Sequence, residues 1–451
     1  MFERVSIAWH FIRARYLLDF RSRARLEAWQ QRRLRWFLHN QLPRAPYYRS
    51  RVNVRLQDLP IVDKAVVMAN FSGMNTRGIL LDQAMSTALM AEETRDFTPV
   101  VDGVTIGLSS GTSGNRGLFM ANAGERSMWA GIVLARVLPR SMVWQILAFW
   151  RPPLRVAFFL RANSNVYATL SSRRLEFRFH DLLAGLQPAL PDLERQQPDV
   201  LVAPANVLKC IAGLVATGQL SLCPRHIISV AEVLEPDDAR EIMQVFGLPV
   251  HQIYQATEGF LGYTCEQGTL HLNEAFVHME PEWLDEARTR FQPVLTDFTR
   301  TTQMLARYRL NDVLRVADRP CVCGRADRAI AAIEGRSDDV MWLPHRTAGV
   351  LAPVFPDLIR GVMLLAAGHV RDYRAIQTDM SLRMELDTDE SCARQRISDE
   401  LGKLWMRCEV LPPTLVFADW TLTSQASKRR RIRCVSVPVV HATITPEACP
   451  C

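Results

Sequence analysis

Lysine is scarce in this chain of 451 residues: there are four, at Lys64, Lys209, Lys403 and Lys428, although the formal charge is +7. The positive charge is arginine, spread along the chain without a zinc-finger or RNP-type motif beside it, so no nucleic-acid partner is expected. No apolar run approaches the roughly 18 to 20 residues that a membrane span needs, so no transmembrane segment is expected. The opening MFERVSIAWHFIRARYLLDF lacks both an apolar signal core and a cleavage site, and the expectation is a cytoplasmic chain. With no export signal, the ten cysteines point to thiols or a metal and not to a disulfide framework. Internal repeats and low-complexity segments are absent too.

What is present reads as two or three domains. Residues 1–50 place basic and apolar positions at helical spacing up to LPRAPYY, a helical lead-in. Its face of Trp9, Phe11, Tyr16, Leu17 and Phe20 suits either a membrane surface or packing on its own domain. From about residue 100, VAFFL (156–160), DVLVAP (199–204), HIISVAE (226–232) and PVHQIYQATE (249–258) read as buried strands, with DDAREIMQVFG as a crossover helix. This predicts an α/β fold with layered sheets and helices. Ligands in such sheets sit beyond the carboxyl ends of strands, which singles out Glu232, Thr257 and Glu258. A change of pattern at GRSDDVMWLPHR separates a small α+β portion, giving expected divisions at 1–50, 51–337 and 338–451.

The stretch LSSGTSGNRG, 108–117, packs three glycines and five hydroxyl or amide side chains into ten residues. Glycines let backbone N–H groups converge on an anion, and hydroxyls add donors, so the choice lies between a phosphate cradle and a flexible turn. A P-loop is excluded, because its lysine is missing.

Four further segments follow in order: YQATEG (254–259), YRLND (308–312), EGRSDD (334–339) and SQASKRRRI (424–432). Together with LQDLPIVDK, SVAEVL, TCEQGTLHLNEAF and CVCGR, the series resembles the adenylate-forming superfamily of acyl- and aryl-CoA synthetases, in its phenylacetate-CoA ligase and CapK-like branch. The resemblance spans about residues 40–432. It implies a large N-terminal adenylation domain, a small mobile C-terminal lid, and a ligase that activates a small, aromatic or short polar, carboxylic acid with ATP and Mg2+. The acyl adenylate would pass to CoA, an amine or a carrier-protein thiol. A nucleotide-binding relative without catalysis, acting as a biosynthetic partner, and an amide-forming ligase are the alternatives. A homodimer is left open.

Residue by residue, the resemblance implies that Ser109, Ser110, Gly111, Thr112, Ser113, Gly114 and Arg116 cradle pyrophosphate. Tyr254 would pack on adenine, Thr257 contact phosphate and Glu258 hold magnesium. Asp312 would accept from the ribose hydroxyls, although Leu310 and Asn311 stand where the family has Thr-Gly. Arg336 would support the nucleotide, Asp338 or Asp339 serve as hinge, and Lys428 reach the α-phosphate during adenylation. Ala203, Asn206, Ser229, Ala231 and Glu232 would line the acyl pocket.

Cys265, His271, Cys321 and Cys323 form a second constellation, C-x5-H and C-x-C. Thiolates and imidazole are ligands of tetrahedral zinc, and four protein ligands would make the site structural. The same residues also read as buried thiols and a surface histidine.

Overall fold

The structure, a computed structural model, describes residues 2–51, 54–96, 99–108, 117–160, 171–366, 370–421 and 430–438. The chain forms two compact units, one of Met1–Leu310 with Leu314–Ile333, the other of Asn311–Val313 with Glu334–Cys451.

The first unit contains helices α1 (Phe2–Ile12), α2 (Arg23–Asn40), α3 (Lys64–Ala69), α4 (Leu81–Thr94), α5 (Ala123–Val137), α6 (Arg140–Leu147), α7 (Leu190–Gln196), α8 (Ala205–Ala216) and α9 (Pro236–Phe246). A small antiparallel sheet joins β1 (Val100–Val101), β2 (Val104–Leu108) and β3 (Leu118–Asn122). The large sheet has a parallel half of β4 (Leu154–Leu160), β5 (Leu175–Asp181), β6 (Val200–Ala203), β7 (His226–Val230) and β8 (Val250–Ala256). Its other half begins with β9 (Gly259–Thr264) and β10 (Leu270–Leu272) and continues with β11 (Val277–Trp283), β12 (Arg290–Asp297), β13 (Tyr308–Arg309), β14 (Asp312–Val316) and β15 (Ala329–Arg336). The strand order is 11-12-14-15-10-9-8-7-6-4-5, with β13 paired to β12.

The continuous apolar runs of the parallel half follow from burial of both its faces. Val156, Phe158, Val200, Val202, Ile228 and Val230 enter one core cluster, and Ala157, Phe159, Leu201, Ala203 and Ile227 enter another. Alternation with period two thus survives inside the apolar runs of β4, β6 and β7. On one side α1 lies along α5. Gly131 of α5 permits this, because a Cβ there would sit 2.6 Å from the Ile7 carbonyl and 2.8 Å from the His10 Cβ. Of the lead-in face named above, Phe11 and Phe20 are packed against this core while Trp9, Tyr16 and Leu17 are exposed.

The second unit contains β16 (Met341–Pro344) paired with β17 (Leu351–Val354), then α10 (Pro356–Ala366) and α11 (Ala393–Arg407). Its four-stranded sheet has the order β20 (Thr414–Asp419), β19 (Ser381–Asp387), β18 (Asp372–Thr378), β21 (Ile432–Ser436). Met384, Ala375, Ile397, Leu401 and Ile432 are among its buried core residues.

His226 lies at the start of β7, 6% exposed, with its ring 4.5 Å from that of His251 and its Nε2 3.0 Å from the Val137 carbonyl. Burial, then the neighbouring His251, lowers its pKa to about 4. The unfolded chain therefore binds a proton that the folded chain refuses between that value and the ordinary histidine range near 6.5. Unfolding free energy should fall as pH drops through this window. His226→Gln should flatten the dependence in denaturant titrations at several pH values, and an unchanged slope would remove His226 as its source.

Candidate active site

The carboxyl ends of β6, β7 and β8 lie side by side, since Ala203 pairs with Ser229 and Ser229 with Gln252. At the end of β8 the sheet changes from parallel to antiparallel, and the two-residue turn at that change is Thr257–Glu258. Gly259 follows with φ 154°, and a Cβ there would stand 3.2 Å from an Asp297 carboxylate oxygen. Glycine in YQATEG is therefore set by a left-sided backbone and a close neighbour together.

The turn is held from behind. Arg300, 1% exposed, donates from Nη2 to the Thr257 carbonyl (2.9 Å) and from Nε to the Glu258 carbonyl (3.2 Å). Its charge is met by Asp297 at 3.4 Å, and its face lies 5.1 Å from the ring centroid of Trp129. The residues after Arg300 are fixed in turn by Glu125, 2% exposed, whose carboxylate accepts from Thr301 N (2.6 Å), Thr302 N (3.0 Å) and Thr302 Oγ1 (2.6 Å). Glu125 also closes the N-terminal capping box of α5 with Asn122. Gln303 completes the link by accepting from Met120 N and donating to the Leu118 carbonyl, both 3.3 Å. The segment 297–303 thus ties the Thr257–Glu258 turn to β3, where the glycine-rich stretch ends.

An open cleft lies here, lined by Lys64, Gly117, Leu118, Thr257, Glu258 and Tyr308 among others. Within it Thr257 Oγ1 donates to Glu258 Oε2 at 2.9 Å. Lys64 is a residue that motif reading missed. The signal was available in the scarcity of lysine, of which the chain has four. Residues 109–116 and Lys428 lie outside the described residues, so Ser109, Ser110, Gly111, Thr112, Ser113, Gly114, Arg116 and Lys428 receive no geometry.

Beside the turn, Asn206 N donates to Glu232 Oε2 at 3.2 Å across the ends of β6 and β7. Ser229 Oγ and Asn206 Oδ1 are buried without a hydrogen-bond partner among the described residues, and Ala231 has φ 68°, a conformation costly for a non-glycine residue. Unmet polar atoms and a strained residue at strand ends suit ligand binding. Tyr254 is 6% exposed and packs in a core cluster with Leu261 and Leu272.

Asp312 opens β14 and Arg336 ends β15, both in the second unit. Asp338 and Asp339 lie in the turn Ser337–Asp339. Asp339 accepts from Arg336 N (3.1 Å) and Arg430 Nε (2.9 Å), and Asn311 Nδ2 donates to Asp338 at 3.2 Å.

Cys265, His271, Cys321 and Cys323 converge, with all four ligand atoms within 4.8 Å of one another. Cys265 Sγ and Cys321 Sγ are 3.7 Å apart, and Cys323 Sγ is 3.4 Å from His271 Nε2. The other ring nitrogen, Nδ1, lies 3.0 Å from the Asp327 carbonyl, which orients the imidazole with Nε2 inward. Burial, and then the adjacent thiols, push the Cys323 thiol up to about 12. The set can hold a metal ion.

No family model matches the chain, and no curated protein matches it in sequence. Solved structures do. 2-Hydroxyisobutyryl-CoA ligase in the postadenylation state with R3-HIB-AMP superposes with TM-score 0.60 at 14% identity, over 91% of this chain and 88% of that one. The same ligase with 2-HIB-AMP gives 0.59 at 14% identity, over 91% and 88%. Its open conformation with 2-HIB-AMP and CoA gives 0.53 at 15% identity, over 91% and 90%. The likeness is one of fold: this chain has the architecture of an adenylate-forming ligase.

Replacing Arg300 by Met should destabilise the first unit by about 3–5 kcal/mol, because Asp297 would be left buried without its counter-charge, held by Thr299 alone. The double change Arg300→Met with Asp297→Leu should recover much of that loss. Chemical denaturation of the four proteins of this cycle measures it, and a loss below about 1 kcal/mol would mean that the pair is not structural.

Proposed function

We propose that the chain activates a small carboxylic acid with ATP, forming an acyl adenylate and pyrophosphate, and passes the acyl group to CoA or another acceptor. The observation that carries this reading is the Thr257–Glu258 turn, set at the carboxyl ends of parallel strands on the cleft that adjoins the glycine-rich stretch, in a chain of adenylate-forming ligase fold.

In this reaction a carboxylate oxygen attacks the α-phosphorus and the bond to the bridging oxygen of pyrophosphate breaks. Both reactants are anions, so the protein must align them and meet the charge that moves onto the leaving group. Glu258 would hold magnesium together with the nucleotide phosphates, a ligand set that suits a hard cation. Magnesium neutralises phosphate charge when bound. Thr257 offers a hydroxyl to phosphate, and Lys64 adds an ammonium to a cleft whose glycine-rich stretch has no lysine. Residues 109–116 supply the pyrophosphate cradle, while Tyr254, Asp312 and Arg336 serve the nucleoside. Lys428 acts on the developing charge from the C-terminal portion, which turns about Asp338–Asp339 before acyl transfer. Asn206, Ser229, Ala231 and Glu232 border the acid, and their small, polar character favours a compact aromatic or short polar acid. We assign the phenylacetate-CoA ligase branch on the motif series.

Pyrophosphate exchange into ATP across a panel of acids tests the reading. At least one small acid should support exchange. Lys428→Ala and Glu258→Gln should each lower its rate by on the order of 100-fold, Lys428→Ala with little change in ATP affinity. Asp338→Pro should slow transfer to the acceptor more than exchange. Nucleotide binding without exchange for any acid would favour the non-catalytic reading.

We also assign zinc to Cys265, His271, Cys321 and Cys323. A tetrahedral zinc with bonds near 2.3 Å to sulfur needs sulfur–sulfur edges of about 3.8 Å, close to the 3.7 Å separation here. Such a site would be structural, because the β9–β10 turn and the loop before β15 meet there. Protein purified without added metal should carry one zinc per chain by elemental analysis, and Cys323→Ser should lower both zinc content and melting temperature. A metal-free preparation of undiminished stability would refute the assignment.

A further inference from the structure

The first unit turns large apolar side chains outward in two places. On α1 and the π-helical turn that follows it, Val5, Trp9, Ile12, Tyr16 and Leu17 are exposed, most of them at the three- and four-residue spacing of one helix face. On α6 and the residues after it, Trp144, Leu147, Phe149 and Trp150 are 58%, 68%, 83% and 64% exposed. The second group is a cluster: Phe149 and Trp150 meet edge-on at 5.0 Å, and Trp144 and Trp150 at 6.2 Å.

These tips are held rigidly. Arg174 spends its guanidinium on four carbonyls at the end of α6, those of Gln145 (2.6 Å), Ile146 (3.1 Å), Ala148 (2.6 Å) and Arg151 (2.7 Å). That fixes the backbone of the turn while its aromatic side chains stay in solvent. One end of the stripe also reaches the start of α6. Residues 7–11 of α1 meet Gly131, and Arg15 donates to the carbonyls of Ala135 (2.9 Å) and Leu138 (2.7 Å). α1 and α5 therefore run in the same direction, and the Tyr16–Leu17 end of the stripe is carried to the bend from which α6 departs.

Charge selects the occupant. From Arg126 to Leu175 the sequence contains eight arginines and no Asp, Glu or Lys. Arg140, one turn before Trp144, is exposed, as are Arg151 and Arg173. We propose that this surface docks on the interface of an anionic lipid bilayer, with Trp144, Leu147, Phe149 and Trp150 at headgroup depth and the flanking arginines facing lipid phosphate. Amphipathic aromatic rings favour that layer, and surface potential attracts the cations beside them. A second copy of the chain would bring two positive surfaces together, which opposes self-association through the same face. A nucleic-acid duplex would use the arginines and leave Leu147 and the protruding rings in water.

Flotation of the full chain with vesicles tests the proposal, comparing phosphatidylcholine alone with the same vesicles carrying one third phosphatidylglycerol. The chain should partition onto the anionic vesicles more strongly, and added salt should weaken the difference. Arg140→Ala and Arg151→Ala should each lower anionic partition by about 5-fold at low salt. Phe149→Ala with Trp150→Ala should lower partition onto both vesicle types by at least about 10-fold, at an unchanged melting temperature. Trp150→Tyr, which keeps an amphipathic ring, should retain most of the binding. Absence of partition, or partition indifferent to the aromatic pair, would overturn the proposal. So would a dimer in vesicle-free sedimentation that Trp150→Glu dissolves, or retention on RNA that the arginines govern and the aromatic residues do not.

Discussion

A guanidinium taken fully out of water must have its charge met and its N–H groups used, and Arg300 meets both requirements in a way that organises the first unit. Asp297 answers the charge, Nε and Nη2 donate to the carbonyls of the Thr257–Glu258 turn, and Nη1 donates to Gln303. Because Glu125 holds the next two residues, the constraint extends to the N terminus of α5 and, through Gln303, to β3. Three segments far apart in sequence are thereby set against one another at the cleft. Of the side chains that make these contacts, Gln303 lines the cleft, whereas Arg300, Asp297 and Glu125 stand behind it.

The large sheet adds a second constraint. Parallel strands open their carboxyl ends on one edge, and the first antiparallel pairing, β8 with β9, returns the chain across that edge. A turn placed there is half-buried at its tip, where it lines the cleft, and pinned at its base. The unmet oxygens of Ser229 and Asn206 and the strained backbone of Ala231 lie on the neighbouring strand ends, so polarity collects where the sheet changes direction.

Much of this was legible in the sequence, for identifiable reasons. Four of the five parallel strands were visible as mainly apolar runs between turn residues, whereas β5, with Glu176, Arg178 and His180, was not. Thr257 and Glu258 were visible as polar residues directly after such a run, and the Cys/His group through its C-x5-H and C-x-C spacings and the ligand chemistry of those side chains. Arg300 was not visible, since one arginine among many carries no mark until its partners are known. Lys64 was missed although its rarity was a usable signal, because it lies some 190 residues before Glu258 and only the fold brings the two to one cleft. The insertion of β15 between β14 and β10 is likewise a matter of long-range pairing, which local pattern does not encode. The aromatic cluster around Trp150 reads locally as an ordinary segment before Pro152 and Pro153, and only its exposure distinguishes it.

Arg300 grips carbonyl oxygens, and every residue type has one. Substitution at Thr257 or Glu258 therefore changes what the turn presents without loosening what holds it. Lineages that share this clamp can diversify their reactive groups while inheriting the same scaffold, and loss of chemistry need not bring loss of shape. In such a chain, architecture and activity can part company in evolution, one surviving the decay or replacement of the other.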